Sequence, residues 1–382
     1  MLDPRTPVLL TGARTPVGRF GGALRGVDAV DLGAHAVRAA LERAGDPVPD
    51  QVLLGNVVQA GNGQNPARVA ATRAGVPTTV PGMTLNNVCL AGLTATGLAA
   101  TLVRAGELDV GVVGGFESMS RALHGVQVRA ASRVGDGAMV DLLVRDGLWC
   151  ALSEQGMGEM SDVASAQLGI GRAEQDAFAL ASHQRAAAAA DRRAAEIAPL
   201  PELDRDEGVR PGTTLDALAA LRPAFTPDGT LTAGNSSQMS DAGSAGVVTS
   251  AARAAALGVE PLAEIVGHAT VAGPDPTLHL KPAAATRVLL ERHGLTPADV
   301  DLWEINEAFG AVVLASMREL GIDHDRVNVR GGAIAIGHPL GGTGFRLVLT
   351  LAHEMRTRGA ALGVAAICGG GGQGAALLLR RR

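Results

Sequence analysis

An internal duplication constrains this chain more than any other feature of its sequence. Leu41-Glu-Arg-Ala-Gly45 recurs as Leu290-Glu-Arg-His-Gly294, and each copy is followed by a Pro/Asp segment, a short apolar run and an asparagine, Asn56 or Asn306. The final glycines of the two copies are 249 residues apart, and the same offset places Cys89 onto His338. Because duplicated halves commonly pack about a pseudo-twofold axis, we expect these two side chains to face each other across it.

The surroundings of the two residues support the duplication. Cys89 and His338 each open a small-residue, apolar stretch that predicts a helix, over residues 90–104 and 342–358. After each helix a polar turn leads into a buried-strand pattern, near Val110 in one half and Val364 in the other. The chain is therefore predicted to hold two copies of one α/β unit.

The predicted domain organisation follows the change in periodicity along the chain. Residues 1–118 alternate strand and helix patterns, which predicts an N-terminal α/β half built on a parallel sheet covered by helices. Residues 119–240 carry polar loops and one strong helix from Arg172, without a clear run of buried strands, and are predicted to form a loop domain over the active site. The alternation resumes in the C-terminal half, residues 241–382.

Composition excludes several function classes. The 382 residues include no tyrosine, so chemistry that depends on a catalytic tyrosine, as in short-chain dehydrogenases, is excluded. The net charge is −5, and apart from the three C-terminal arginines there is no basic run, so we expect no nucleic-acid partner. The single lysine, Lys281, has no flanking signature that would support Schiff-base chemistry.

The cysteines and the apolar runs bear on the cellular compartment in which the protein is expected. Cys89, Cys150 and Cys368 are an odd number at wide spacing, which suits a reducing environment and neither a disulfide framework nor a metal site. The first 20 residues lack a signal-peptide pattern, and no run approaches 18 uninterrupted apolar residues. We therefore expect a cytoplasmic protein with no membrane partner.

Two thiols and an imidazole lie in unusual local contexts. Cys89 follows Asn86-Asn-Val and precedes a predicted helix, whose free N–H groups should lower the pKa of its thiol. His338 and Cys368 lie in the glycine-rich segments 331–342 and 368–374. One thiol could carry an acyl group, the imidazole could activate it, and the second thiol could move the proton of an α-carbon, as carbon–carbon bond chemistry on a thioester requires. The alternatives are a small buried cysteine, a solvated loop histidine and an inert cysteine at a strand end.

Two further motifs are less specific for one function. Asn306-Glu-Ala-Phe309 ends a strand pattern and begins a helix, so Asn306 could cap that helix, or order a water beside a reacting carbonyl, or do both. The glycines that follow Val110 resemble a dinucleotide-binding loop, but they lack the GxGxxG spacing and the later acidic residue.

With these residues in view, the chain resembles the thiolase family over nearly its whole length. The resemblance rests on 14–24, 60–68, 115–120, 221–225, 232–237 and 306–309 together with the His338 and Cys368 loops. The last three distinguish thiolases from β-ketoacyl synthases, which share the duplicated fold but pair their cysteine with two histidines or with a histidine and an asparagine. The implied fold is α/β, with duplicated βαβαβαββ halves in a layered α-β-α-β-α core and an inserted loop domain.

The resemblance implies roles for individual residues. Cys89 would be the acylated nucleophile, His338 its base, and Cys368 the residue that removes or returns the α-proton. Asn306 would hold a water that stabilises the enolate or carbonyl oxygen together with His338, and the N–H groups of Cys89 and Gly370 would bind the oxyanion. The positions that would contact coenzyme A, with Arg210 at a nucleotide phosphate, are Leu148, Met157, Arg210, Phe225, Ala233, Ser237, Ala308 and Phe309.

The resemblance also implies substrates and assembly. Acyl-CoA and coenzyme A would be the partners, with no tightly bound cofactor and no metal, in a homodimer or homotetramer. The sequence departs from the family pattern at Ala91, at Gly156, in 240–244 and in a shortened 199–210 stretch, which bear on acyl chain length and on the coenzyme A loop. The sequence leaves two alternative functions open: another condensing enzyme of the same fold, and a catalytically silent thiolase-like subunit.

Overall fold

The structure, a computed structural model, describes residues 3–129 and 136–382. The strands are β1 (Pro7–Arg14), β2 (Gly18–Arg19), β3 (Gln51–Gly55), β4 (Gly82–Leu85), β5 (Val110–Ser118), β6 (His124–Gly125), β7 (Val140–Asp141), β8 (Trp149–Cys150), β9 (Gln155–Gly156), β10 (Ser240–Ser250), β11 (Ala263–Ala272), β12 (Leu302–Ile305), β13 (Leu362–Gly369) and β14 (Gln373–Arg380). The α-helices are α1 (Ala29–Arg43), α2 (Pro66–Arg73), α3 (Ala91–Ala105), α4 (Met157–Gln167), α5 (Arg172–Ala188), α6 (Ala190–Ala194), α7 (Leu215–Ala219), α8 (Ala251–Leu257), α9 (Lys281–Arg292), α10 (Gly310–Leu320), α11 (Ala333–Ile336) and α12 (Leu340–Arg358).

The main sheet repeats one strand pattern twice. Its order is β12-β13-β14-β11-β1-β10-β5-β3-β4, with the short β2 added alongside β10. In the first half β3 runs parallel to β4 and β5, whereas β10 runs antiparallel to β5 and β1. In the second half β12 is parallel to β13, and β14 is antiparallel to β13 and β11. A parallel bridge between Trp303 and Val327 takes the place of β4. The two halves of the sheet meet where β1 pairs with β11.

Helix positions follow the same repeat. The repeated Leu-Glu-Arg segments lie at the ends of α1 and α9, which follow β1 and β11. Helices α3 and α12 both contact strands of the two halves and also pack on each other. The thiolase-like duplicated α/β fold expected from the sequence is therefore confirmed.

Alternating strand residues fill different layers, as the period of two in a strand requires. Val8 and Leu10 of β1 pack in the outer cluster with α1 and α2, whereas Leu9 packs in the central cluster with α3 and α12. In the second half, Ala365 and Ile367 belong to the central cluster, and Val364 belongs to the outer cluster with α9 and α10. The layers therefore alternate as helix, sheet, helix, sheet, helix.

The parallel pairing expected for residues 1–118 is present in β3, β4 and β5, whereas the main sheet as a whole is mixed. The β13–β14 connection is a tight turn at Gly370–Gly372, which can join only antiparallel strands. Strand β10 enters from the 119–240 region and also runs antiparallel to both neighbours. The predicted C-terminal half begins at residue 241, yet β10 pairs only with strands of the first half, so sheet pairing extends that half to Ser250. The three-part division itself stays a prediction, and residues 130–135 of the expected loop domain lie outside the described residues.

Within the described residues, one helical stretch, Val88–Ala105, is apolar and long enough to cross a membrane by length and composition. This stretch contains α3, which lies in the middle layer and buries most of its small side chains against α12 and both halves of the sheet. Its apolar character is explained by its position in the core.

Candidate active site

The turn before α3 holds Cys89 in a constrained position. Val88 has φ 58°, a left-handed conformation that is unfavourable for a β-branched residue. Asn86 stabilises the turn by accepting the N–H of Val88 at 3.1 Å and by donating its side-chain amide to Val57 O at 3.2 Å. The Asn87 amide donates to the hydroxyl of Thr94 at 2.8 Å, one turn into the helix. The Asn-rich approach noted in the sequence therefore holds the cysteine at the N-terminus of α3.

The electrostatic environment of Cys89 differs from the expectation. Burial raises the pKa of its thiol to about 12, and the nearby Glu117 raises it further, whereas the N–H groups of Cys89 and Gly370 lower it. The helix N-terminus therefore does not produce a thiolate at rest, because desolvation is the larger effect. The two N–H groups nevertheless lie at the sulfur, which is where an oxyanion hole serving an acyl group on Cys89 would have to be.

His338 is buried at the N-terminus of α12. Its backbone N–H donates to Gln238 O at 2.9 Å. The preceding Gly337 has φ 111°, and a Cβ there would lie 2.1 Å from the hydroxyl oxygen of Ser240, so only glycine fits. Burial, together with the charge of Arg346, lowers the pKa of the imidazole to about 3. The ring is therefore neutral at physiological pH.

The hydrogen bonds of His338 determine its tautomer. The hydroxyl of Thr343 donates its single hydrogen to Pro339 O at 2.8 Å. It lies 2.7 Å from Nδ1 of His338, so it must accept a hydrogen bond from Nδ1–H. Nε2 therefore carries the lone pair, and it lies 3.3 Å from the amide nitrogen of Asn306. A neutral imidazole in this tautomer can act as a base through Nε2.

Glycines bring the starts of α3 and α12 together. A Cβ at Gly92 would lie 2.9 Å from Gly341 O and 2.9 Å from the Phe345 nitrogen. A Cβ at Gly344 would lie 2.3 Å from the Leu93 nitrogen. Gly92 and Gly341 each lie three residues beyond Cys89 and His338, respectively, so the two helix starts touch at equivalent points. The pseudo-twofold relation inferred from the 249-residue offset is present in the packing.

Cys368 lies at the end of β13, directly before the turn that contains Gly370. Burial raises the pKa of its thiol, and a charge on Cys89 would raise it further, which places the two sulfurs near each other. A Cβ on Gly370 would contact Val88 at 3.4 Å, so the glycine turn packs against the Cys89 turn. The structure thus brings both thiols and the Gly370 N–H into one neighbourhood.

Asn306 is fully buried just after β12 and joins this group through His338. Its backbone N–H donates to Ala366 O at 2.9 Å, which anchors it beside β13. With its amide nitrogen directed at the imidazole, its Oδ1 has no hydrogen-bond partner among the described residues. A buried polar atom without a partner is a site where a reactant or a water can bind.

A cavity of about 580 Å3 leads to this group. The side chain of His338 lines it, as does the neighbouring Leu340. Two further lining residues connect the cavity to the thiols, since Met157 packs in the cluster that contains Cys368 and Leu148 in the cluster beside Cys89. The predicted coenzyme A contacts that line the cavity are Leu148, Met157, Arg210, Phe225, Ala233, Ser237 and Phe309.

Local contacts account for the shape of the wall. The rings of Phe225 and Phe309 meet edge to face, with their centroids 5.8 Å apart. Ala308, the one predicted contact that is not part of the lining, accepts the Ser237 N–H at 3.0 Å and so supports the wall from behind. Arg210 is exposed, as a residue that binds a phosphate at a cavity mouth would be.

Sequence reasoning missed three groups at this site. The carboxylate of Glu117 is fully buried and accepts the N–H groups of Val57, Val58 and Gly341, each within 3.1 Å. Burial raises its pKa to about 7. The strand pair β3–β5 of the first half corresponds to the pair β12–β13 of the second half. When these pairs are aligned, Asn56 occupies the position of Asn306, and Glu117 occupies the position of Cys368. The duplication could therefore have identified it.

The other two missed groups are Thr343, which contacts His338, and the pair Arg19 and Phe20 at the cavity wall. Thr343 orients His338. The sequence analysis assigned it to the helix predicted over residues 342–358, and its only signal was its position directly after the glycine-rich segment 331–342. Arg19 and Phe20 also line the cavity, although they lie far in sequence from the loops that hold His338 and Cys368. Across residues 3–129 and 136–382, no group of three or more His, Cys, Asp or Glu side chains is placed to hold a metal ion.

Comparison with known proteins identifies the family. The family model described as "Thiolase, N-terminal domain" matches residues 8–252, and "Thiolase, C-terminal domain" matches residues 259–381. A "Probable acetyl-CoA acetyltransferase" of Mycolicibacterium smegmatis is 48% identical over 98% of this chain and 100% of its own length. Proteins named "Acetyl-CoA acetyltransferase" from Cupriavidus necator and Escherichia coli are 46% and 43% identical, and each match covers 98% of this chain, with 99% and 98% of the relative.

Proposed function

Because this chain belongs to the thiolase family and is an acyltransferase of coenzyme A thioesters, we propose that it transfers acetyl groups through an acyl-enzyme on Cys89. The observation that carries this proposal is the proximity of Cys89 to Cys368 together with the His338–Asn306 pair, whose imidazole lines the cavity. The names of the relatives support the acetyl group as the unit transferred.

The first step uses His338 as a neutral base. Since both the Cys89 thiol and the imidazole are uncharged at rest, the thiol proton moves to Nε2 as the sulfur attacks the thioester carbonyl. The oxygen that becomes negative is stabilised by the N–H groups of Cys89 and Gly370. The bond from sulfur to the acyl carbon forms, and the bond to the coenzyme A sulfur breaks.

The second thiol completes the cycle. Cys368 is also neutral at rest, so it can give its proton to the departing coenzyme A thiolate and become the base for the next step. It then removes the α-proton of a second acetyl-CoA, and the enolate oxygen is stabilised by the protonated His338 and by Asn306. The enolate attacks the acyl group on Cys89, the Cys89 sulfur leaves and recovers its proton from His338, and Cys368 keeps the α-proton. The same steps reversed describe thiolysis.

Several finer features belong to this proposal. A short acyl chain is favoured by the names of the relatives and by the Met157 and Leu148 side chains at the inner part of the cavity. We further propose a cytoplasmic enzyme of fatty acid or related lipid metabolism that works as a homodimer or homotetramer. The substrates are acyl-CoA and coenzyme A, and the assigned residues need no bound cofactor to complete the cycle.

The experiment is a comparison of thiolysis rates for acetoacetyl-CoA and a long-chain 3-ketoacyl-CoA. We expect turnover of acetoacetyl-CoA, with the higher kcat/KM for this short substrate. A preference for the long chain would contradict the proposed acetyl specificity. No turnover of either substrate by folded protein would instead favour the silent thiolase-like subunit, whose sequence basis is Ala91 and Gly156.

A further inference from the structure

The cavity has a second cation at its wall besides Arg210. We propose that Arg19 binds a phosphate of the coenzyme A nucleotide, so that two arginines hold the phosphorylated end of the substrate. This inference rests on the proposed function, because it names how the same site recognises its substrate. Arg19 lines the same cavity as His338.

The backbone around Arg19 is fixed. Gly18 and Arg19 pair with Asp241 and Ser240 of β10. The next residue, Phe20, donates its N–H to Met239 O at 3.0 Å. The backbone of Arg19 is therefore hydrogen-bonded to β10 of the main sheet, which holds the residue at the cavity wall.

The side chain of Arg19 retains free hydrogen-bonding capacity. Among the described residues its only acceptor is Glu207, at 3.5 Å, and 52% of the side chain is exposed. The other oxygen of Glu207 accepts the backbone N–H groups of Arg19 and Ala23, at 2.9 and 3.2 Å. Glu207 thus mainly stabilises the loop, and most of the five guanidinium donors remain available to a ligand.

Arg19 and Arg210 stand on segments that are bonded to each other. Glu207 donates its N–H to Val17 O at 2.9 Å, and Gly208 O accepts the Gln238 side-chain amide at 3.1 Å. Gln238 also lines the cavity, so both arginines flank the same stretch of wall. Two separated cations match a ligand with two separated phosphate groups, and coenzyme A carries a diphosphate and a ribose 3′-phosphate. Guanidinium groups suit phosphate because of their planar donor geometry.

Apolar side chains beside these cations provide a surface for the rest of the nucleotide. Phe20 and Met239 are 49% and 40% exposed, and both line the cavity. Large apolar side chains that are exposed together commonly mark a binding surface. A nucleotide held by Arg19 would cover them.

The test compares substrates with and without phosphates in the Arg19→Met variant. Condensation kinetics are measured with acetyl-CoA, acetyl-(3′-dephospho)-CoA and S-acetylpantetheine. We expect the KM for acetyl-CoA to rise about 2- to 5-fold with kcat nearly unchanged, as for the loss of one half-exposed ionic contact. The KM for S-acetylpantetheine should not change. Arg25→Met is the matched control, since Arg25 is an exposed arginine that does not line the cavity.

The substrate series distinguishes the outcomes. If the variant's effect disappears with the dephospho substrate, Arg19 binds the 3′-phosphate, and if it persists there but disappears with S-acetylpantetheine, Arg19 binds the diphosphate. An unchanged KM for acetyl-CoA, or an equal rise for S-acetylpantetheine, would overturn the inference while the acyl transfer itself stands. Failure of the proposed function would appear differently, as absence of turnover in the unmodified protein.

Discussion

Replacing Thr343 by valine tests whether the orientation of His338 is set by one hydroxyl. The side chain is fully buried, and its hydroxyl joins Nδ1 of His338 at 2.7 Å to Pro339 O at 2.8 Å. Valine has nearly the same shape but neither accepts nor donates. In the variant the Nδ1–H group loses its acceptor in a buried place, which costs about 1–3 kcal/mol.

That cost destabilises the tautomer of His338 that carries its proton on Nδ1, which is the form proposed to act as the base. Without an acceptor at Nδ1, the tautomer with its proton on Nε2 becomes competitive, and that tautomer cannot take the proton of Cys89. Since about 1.4 kcal/mol corresponds to a tenfold change, we expect kcat for condensation to fall about 10- to 100-fold, with little change in the KM for acetyl-CoA. Thr343→Ser keeps the hydroxyl and should recover most of the rate.

The matched control is Thr350→Val, on the same helix. Thr350 is also buried, and its hydroxyl donates to the carboxylate of Glu196 at 2.9 Å, away from the cavity. Both variants should lose thermal stability, but only Thr343→Val should lose turnover beyond its loss of folded protein. Equal kcat in Thr343→Val and in the unmodified protein would refute the assignment of the tautomer.

Two further predictions concern the thiols and the effect of acid. Cys368→Ser should still become acetylated at Cys89 but lose about 10²- to 10⁴-fold in turnover, because an alcohol is a far poorer base than a thiolate. Cys89→Ser should lose both acylation and turnover. The reverse pattern in mass spectra and rates would contradict the roles proposed for the two cysteines. Burial lowers the pKa of His279 to about 4, below its unfolded value of about 6.5, so its neutral form stabilises the fold above pH 6.5 and that contribution is lost as the pH falls towards 4. Urea denaturation should show a decline in the free energy of unfolding over this window that is smaller in His279→Gln by on the order of 3 kcal/mol, because His183, His324 and His338 contribute in the same direction in both proteins. Identical pH slopes for the two proteins would count against this prediction.

The duplication made much of the candidate site predictable. The offset that relates the two Leu-Glu-Arg segments also relates Cys89 to His338, and the structure joins the two helix starts through Gly92 and Gly341. The strand and helix that follow each of them were expected for the same reason, since a repeated pattern doubles the local signal. Cys368 was recognisable because the glycines that follow it have no explanation as a plain strand end.

Other features depend on contacts between distant segments, which a local pattern does not contain. The direction of β10 is decided by its pairing with β1 and β5, far away in sequence. The raised pKa of Cys89 reflects collective burial that outweighs the helix N-terminus, so the local motif alone predicted the wrong direction. The placement of Arg19 at the cavity wall depends on its pairing with Ser240, and no motif near Arg19 indicates it.

The most direct test of the acyl-enzyme is mass spectrometry of the protein after brief mixing with acetyl-CoA. We predict one acetyl group per chain, located by peptide mapping on Cys89 and removed when coenzyme A is added. The His338→Ala variant should acquire the acetyl group more slowly, because the base that accepts the thiol proton is missing. Folded protein that remains unmodified, or that carries the acetyl group on Cys368 or Cys150 instead, would contradict the account.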